Sequence, residues 1–291
     1  MMNDMSWVPG LRTPFLSQFF DLITLAGYPL FLILFLAFGY YFFRSRSFFH
    51  AAILLIGSGL VNIFLKDYFQ DPRPAAEFML DPRTGTSYGW PSGHAQIAVV
   101  LWGFLAYEIA RKWAYIAAFI MITLICASRI YLGVHDVGDV NGGVSIGVVC
   151  LAGYIWGLNN NAVQGMVTRL GDRGLVVCLL AAHVIYFIVY PTHAGHPAPA
   201  WFVGSMLGWL LAWQWMNREE TQMPGAPLVK LIVAALATAA TFGLMLVTSR
   251  AAPRLGLEGT AQEAANYGFG VVFTLASAWA IPRLIHRLSG R

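Results

Sequence analysis

Apolar runs of about 20 residues recur along this chain, the length an α-helix needs to cross the hydrocarbon core of a bilayer. Backbone polar groups find no water in that core, so such runs are accommodated only as helices that satisfy their own hydrogen bonds. Nine candidate spans follow: 27–43, 47–65, 94–110, 113–130, 138–157, 174–190, 200–216, 228–248 and 267–285. With 58% hydrophobic and 11% charged residues, the chain lies outside the composition of soluble globular domains. The expected fold class is therefore all-α, a polytopic integral membrane helical bundle of about nine transmembrane helices. From Thr13 to Ala26, Phe15, Leu16, Phe19, Phe20, Leu22 and Ile23 alternate with Ser17, Gln18 and Asp21 at helical spacing. That pattern suits an amino-terminal interfacial helix, and equally a lengthening of the first span. No cationic stretch or small-residue cleavage site marks it as a removable signal peptide.

Composition also narrows the partners. Cys126, Cys150 and Cys178 all fall inside candidate spans, so neither a disulfide framework nor a cysteine metal site is expected. The net charge of +4 comes from dispersed cations, which makes nucleic acid an unsuitable partner. No glycine-rich nucleotide loop, HExxH site or internal repeat is present. His193 and His196 in PTHAGHP lack an adjoining carboxylate and read as a surface loop, and His183 reads as a packed or hydrogen-bonded helix residue. No metal or cofactor is expected.

Lys and Arg favour cytoplasmic loops. With the amino terminus outside, the inner loops hold Arg44, Arg46, Arg111, Lys112, Arg169, Arg173, Arg218, Lys230, Arg283, Arg287 and Arg291, eleven of the eighteen cations. Three of the outer seven, Lys66, Arg73 and Arg129, sit in short polar clusters: KDYFQDPRP (66–74), PSGH (91–94) and SRIYLGVHDVGD (128–139). All three clusters fall on one face of the bundle, the non-cytoplasmic one in this orientation, so residues far apart in sequence can converge there. Ionisable groups at membrane depth are costly and mark functional sites.

Each cluster has its own chemistry. Pro72 and Pro74 hold the first extended, while Arg73 offers a planar fork for phosphate oxygens and Lys66 a mobile point charge. Snorkelling to lipid headgroups would use the same two residues. In PSGH, a proline-initiated helix start with Ser92 and Gly93 makes an anion cradle with His94 one step inside, although the tetrapeptide alone is also an ordinary helix start. In the third, Arg129 adds a cation, and His135 and Asp139 share a helical face if the next span begins near His135. A carboxylate on Nδ1 would leave Nε2 free to attack. Asp136 competes for that role, and a plain interfacial hydrogen bond would use the same pair.

K-x6-RP, PSGH and SR-x5-H-x3-D, in that order, resemble the type 2 phosphatidic acid phosphatase family, whose fold is related to the vanadium-dependent haloperoxidases. The likeness covers roughly residues 50–157. It implies that His135 is a nucleophile forming a phosphohistidine, that Asp139 orients it and that His94 protonates the leaving group. Lys66, Arg73, Ser92, Gly93 and Arg129 would then hold the phosphoryl oxygens. Such a site needs positioning and charge rather than a metal. Attack needs His135 neutral and leaving-group protonation needs His94 charged, so a bell-shaped pH profile is expected.

The expected organisation is an amino-terminal interfacial helix and first span (1–46), a catalytic helical core (47–158) and four additional helices without an assigned role (159–291). The segment 75–90, with its DPRTG turn, reads as a connecting loop or a short lid, with Arg83 as a candidate headgroup contact. The polar junction at 158–174 reads as a linker. The expected activity is metal-independent hydrolysis of a lipid phosphomonoester or diphosphate, on the periplasmic or extracellular face of an inner (plasma) membrane. Its rivals are a lipid phosphotransferase using the same histidine and a lipid-phosphate transporter or binding protein. Oligomeric state is not legible.

Overall fold

Capping chemistry and proline placement set where the first helices begin. The Thr13 hydroxyl accepts a hydrogen bond from Leu16 N, and Pro14 takes the first helical position of α1 (Pro14–Thr24), where an N–H would have no partner. Pro29 opens α2 (Pro29–Phe42), bent by 57° from the helical stretch before it. α3 (Ser45–Phe69) stops before the Pro72–Pro74 pair, which cannot continue a helix. Two short 3₁₀ turns, Ala76–Phe78 and Pro82–Thr84, punctuate the next connection. The remaining helices are α4 (Gly93–Ile109), α5 (Lys112–Tyr131), α6 (Val137–Asn159), α7 (Asn161–Val189), α8 (Ala200–Trp215), α9 (Pro227–Thr248), α10 (Ala251–Arg254), α11 (Gly259–Leu275) and α12 (Ile281–Leu288). The computed structural model describes residues 4–43, 45–84, 87–190, 199–215 and 227–288, and among them there is no strand.

The chain is an integral membrane protein. Six helices among the described residues are long and apolar enough to cross a bilayer, seven if α1 and α2 form one broken span. The count of nine is not confirmed. α4 with 17 residues and α8 with 16 fall short, since at about 1.5 Å per residue they reach roughly 25 Å of an approximately 30 Å core. The junction expected as a linker is helical instead. Asn160 caps α7 by accepting from Ala162 N and Val163 N, and the break falls later, at Gly171 with φ 60°. The Asn160 cap satisfies two of the otherwise free N–H groups of the first turn, which favours helix over an irregular linker there.

Two compact units are present. The first is built from Met1–Leu32 and Gly57–Asn159. In it α4 packs against both α5 and α6, and α1 against α5. Ala26, Ala98 and Ile125 form one buried cluster, and Tyr131, Leu132 and Val134 form another beneath Leu16, Phe20 and Met79. The second unit draws on Ile33–Ile56, Asn160–Tyr190 and Pro197–Arg291. Its core gathers Tyr40, Tyr41, Phe49, Ala212, Ala234, Ala237 and Ala278. Tyr40 and Tyr41 donate to the carbonyls of Ala278 and Ser277, in the π-helical turn Ala276–Ala280.

Candidate active site

His135 reaches its place through a tight turn rather than a helix. Gly133, at φ +69°, adopts a left-handed conformation, and a Cβ there would lie 1.8 Å from the Phe78 carbonyl oxygen. α6 begins only at Val137, so His135 precedes the helix it was expected to open. The i,i+4 contact forms nonetheless: His135 Nδ1 lies 2.9 Å from Asp139 Oδ2, both side chains at most 2% exposed. Asp136 takes a different task, its Oδ1 accepting from Asp139 N at 2.8 Å as a cap for α6. Adjacent residues diverge, which leaves His135 with one carboxylate.

The other ring nitrogen fixes the tautomer. Arg73 Nη1 lies 3.1 Å from His135 Nε2, and a guanidinium nitrogen can only donate. Nε2 is therefore the acceptor, and the proton resides on Nδ1, donated to Asp139. Burial, then the charges of Lys66, Arg73 and Arg129, hold the His135 pKa well below the usual histidine range. The imidazole is neutral at pH 7, with its lone pair aimed into a cationic site. Arg73 is itself braced, by Val134 O at 2.8 Å, Ser87 O at 2.6 Å and Ser87 Oγ at 2.8 Å. Lys66, at the end of α3, donates to the carbonyls of Tyr88 and Gly89.

The PSGH segment meets this pair from α4. Ser92 N donates to Asp139 O at 2.9 Å, and α4 starts at the next residue with Ser92 as its N-cap. The Ser92 hydroxyl is buried with no hydrogen-bond partner, as are His94 Nε2, Arg129 Nε and Asp139 Oδ1. Buried polar atoms are seldom left unpaired, and four of them on sequence-predicted site residues mark where a polar ligand fits. A buried network sets the turn: Asn62 Nδ2 donates to Pro91 O and Gln96 Oε1, and Gln96 Nε2 donates to Ser58 O and Oγ. His94 is walled by the break between α1 and α2. Its ring meets that of Tyr28 edge-on at 4.5 Å between centroids, and a Cβ on Gly27 would lie 2.2 Å from His94 Cδ2.

Arg129 is buried and paired. Its Nη1 donates to Thr24 Oγ1 and lies 3.1 Å from Asp81 Oδ2. Asp81 also accepts from the Tyr28 hydroxyl at 2.6 Å and from Arg83 N and Nε at 3.1 and 2.7 Å. Burial pushes the Asp81 carboxyl up, but the hydrogen bonds of Tyr28 and Arg83 and the charge of Arg129 outweigh it and bring it to about 2. Arg83 is thus committed to Asp81 and Asp21 and stacks over Tyr28, in place of the expected headgroup contact. Thr24, Tyr28, Asn62, Asp81 and Gln96 are the site's supporting residues that sequence reasoning missed. Only Asp81 carried a signal, an acid beside the second proline-arginine pair.

Direct contacts join Arg73, His135, Asp139 and Ser92, while Tyr28 connects the His94 and Arg129 side, its ring 5.8 Å from the Arg129 guanidinium carbon. A cavity of about 330 Å³ adjoins Asp139, lined by Phe69, Asp71, Trp90, Asp136 and Gly138. Its carboxylates, Asp71, Asp136 and Asp139, make it a poor host for an anion. Of the other histidines, His183 bonds Tyr267 at 2.9 Å as a packed helix residue, and His193 and His196 lie outside the described residues. Among the described residues no cluster of His, Cys, Asp and Glu has metal-site geometry.

A family model described as the PAP2 superfamily matches residues 47–162, which include all eight sequence-predicted site residues. The chain is 31% identical over 152 residues to phosphatidylglycerophosphatase B of Bacillus subtilis (strain 168), covering 48% of this chain and 73% of that protein. It is 32% identical over 147 residues to human (Homo sapiens) sphingosine-1-phosphate phosphatase 2, covering 47% of this chain and 36% of that protein. Among solved structures, it aligns with a transmembrane PAP2-type phosphatidylglycerolphosphate phosphatase from Bacillus subtilis at a TM-score of 0.46 and 29% identity, over 52% of this chain and 80% of that one.

Proposed function

This chain belongs to the PAP2 superfamily, and from that premise we propose that it is a metal-independent lipid phosphatase working through a phosphohistidine on His135. One observation carries the reading: a neutral, buried imidazole whose Nδ1 proton is held by Asp139 and whose Nε2 lone pair faces Arg73. That is the protonation state a histidine nucleophile needs.

In the proposed cycle Arg73 Nη1 moves its hydrogen bond from Nε2 to a phosphoryl oxygen, and Nε2 attacks phosphorus in line. An N–P bond forms as the P–O bond to the leaving group breaks, and His94 gives that oxygen its proton. Water then attacks phosphorus, His94 takes a proton from it, and the N–P bond breaks to release inorganic phosphate. Lys66, Arg129, the Ser92 hydroxyl and the Gly93 N–H spread the charge that builds on the three equatorial oxygens. The Asp139 carboxylate stabilises the imidazole as it gains positive character.

The substrate class is a phosphomonoester or diphosphate on a lipid. The site sits at the ends of apolar helices, and relatives named for phosphatidylglycerophosphate and sphingosine-1-phosphate share its stretch of chain. We assign the catalytic core to residues 47–158, and the distribution of cations supports its placement on the periplasmic or extracellular face. Labelling Glu77→Cys with a membrane-impermeant thiol reagent, in a chain cleared of its three native cysteines, tests that side.

Phosphate release by purified protein in detergent with EDTA, across a panel of lipid mono- and diphosphates, tests the activity, with His135→Ala as the blank. Release that survives EDTA and disappears in the variant is expected, as is a phosphoryl group trapped on His135 by acid-free quenching. Loss of release in EDTA, or wild-type release by His135→Ala, would overturn the mechanism.

A further inference from the structure

We propose that Asp81 is a positioning residue for Arg129, pinning one end of the guanidinium so that its Nε edge is presented to a phosphoryl oxygen; this rests on the reading of Arg129 as a phosphate ligand. The anchor and the grip are different nitrogens. Nη1 is bound to Thr24 and Asp81, whereas Nε is buried without a partner. An arginine used side-on offers parallel N–H bonds from Nε and Nη2, the fork that fits two oxygens of a phosphoryl group.

The carboxylate is placed to do this without repelling the substrate. Asp81 and Arg129 side chains are 0% and 1% exposed. Both carboxylate oxygens are occupied, Oδ2 by Tyr28 and Arg129 and Oδ1 by Arg83 N and Nε. A buried guanidinium stripped of its counter-charge is strongly disfavoured. With Asp81 in place the side chain keeps its charge and one orientation. Asp81 touches Arg129 at the end remote from Nε, so it acts through the arginine and not on the reacting atoms.

The test is a double-mutant cycle read by orthovanadate, a phosphate-like anion, on the full chain in detergent. The inhibition constant and KM are measured for wild type, Asp81→Asn, Arg129→Gln and the double variant. Each single change is expected to raise the vanadate inhibition constant about tenfold, and the double variant no further than Arg129→Gln alone. Independent, multiplicative losses, or an unchanged constant in a folded Asp81→Asn, would overturn the proposal. If Arg129→Gln itself leaves the constant unchanged, the phosphate-ligand reading of Arg129 fails first, a separate result that also removes this one. Tyr28→Phe keeps the ring against His94 and removes the hydroxyl that donates to Asp81 and also meets Arg129, so it decides the matter through their shared coupling if Asp81→Asn does not fold. It should raise the constant about threefold in the wild-type background and leave it unchanged beside Arg129→Gln.

Discussion

A single proton sets the chemistry at the residue scale. Because Arg73 can only donate to His135 Nε2, the imidazole proton must lie on Nδ1 against Asp139. Asp139→Asn would let an amide N–H face Nδ1 and favour the opposite tautomer. We expect kcat to fall at least about a hundredfold with the fold intact, measured by phosphate release and by melting temperature. Arg73→Lys keeps a charge but loses the planar brace of Val134, Ser87 and His135, so kcat/KM should drop about tenfold or more. The His135 pKa is depressed, by burial first and then by the three cations, so the neutral form that the proposed mechanism requires persists as pH falls below 6.5. It is lost only as pH drops through that lowered value. The acid limb of kcat/KM should therefore lie below pH 6.5; an acid limb above 6.5 would contradict the environment described for His135.

At the scale of elements, the site depends on how closely α4 and α6 approach. A Cβ on Gly143 would lie 2.3 Å from Ser92 O, the backbone that leads into α4. Gly143→Ala should displace that turn and lower both melting temperature and turnover. Gly153→Ala, on the same helix with open space around it, should leave turnover unchanged and hold or raise stability. The motif residues were legible because Lys66, Arg73, Ser92, His94, Arg129, His135 and Asp139 interrupt apolar helix ends, where polarity is expensive and so conspicuous. Their supports were not. Asp81 lies in a proline-arginine turn like those on any protein surface, and Tyr28 is one of twelve tyrosines. Only tertiary contacts distinguish a buried anchor from a solvated turn. Helix length was misjudged for the same reason: hydropathy finds the apolar stretch, but caps and glycine breaks such as Gly171 decide where the helix ends.

For the whole molecule, the open matter is whether the carboxy-terminal helices enter the chemistry or only stabilise the chain. Every residue of the proposed site belongs to the unit of Met1–Leu32 and Gly57–Asn159, including Thr24 and Tyr28, which lie before the segment that matches the family. The second unit has its own polar core, where the Tyr41 hydroxyl donates to Ser277 O and meets Thr241 Oγ1 at 2.9 Å. In Tyr41→Phe a buried carbonyl loses its donor, a loss of about 1–3 kcal/mol in an apolar surround. Melting temperature in detergent should drop by several degrees. If the second unit serves stability alone, kcat and KM for the preferred lipid phosphate remain at wild-type values at temperatures where the variant is folded. A fall in kcat/KM there would mean that the carboxy-terminal helices shape the substrate's path as well as the protein's stability. The same variant thus separates two roles for the region of this chain that the family resemblance leaves unassigned.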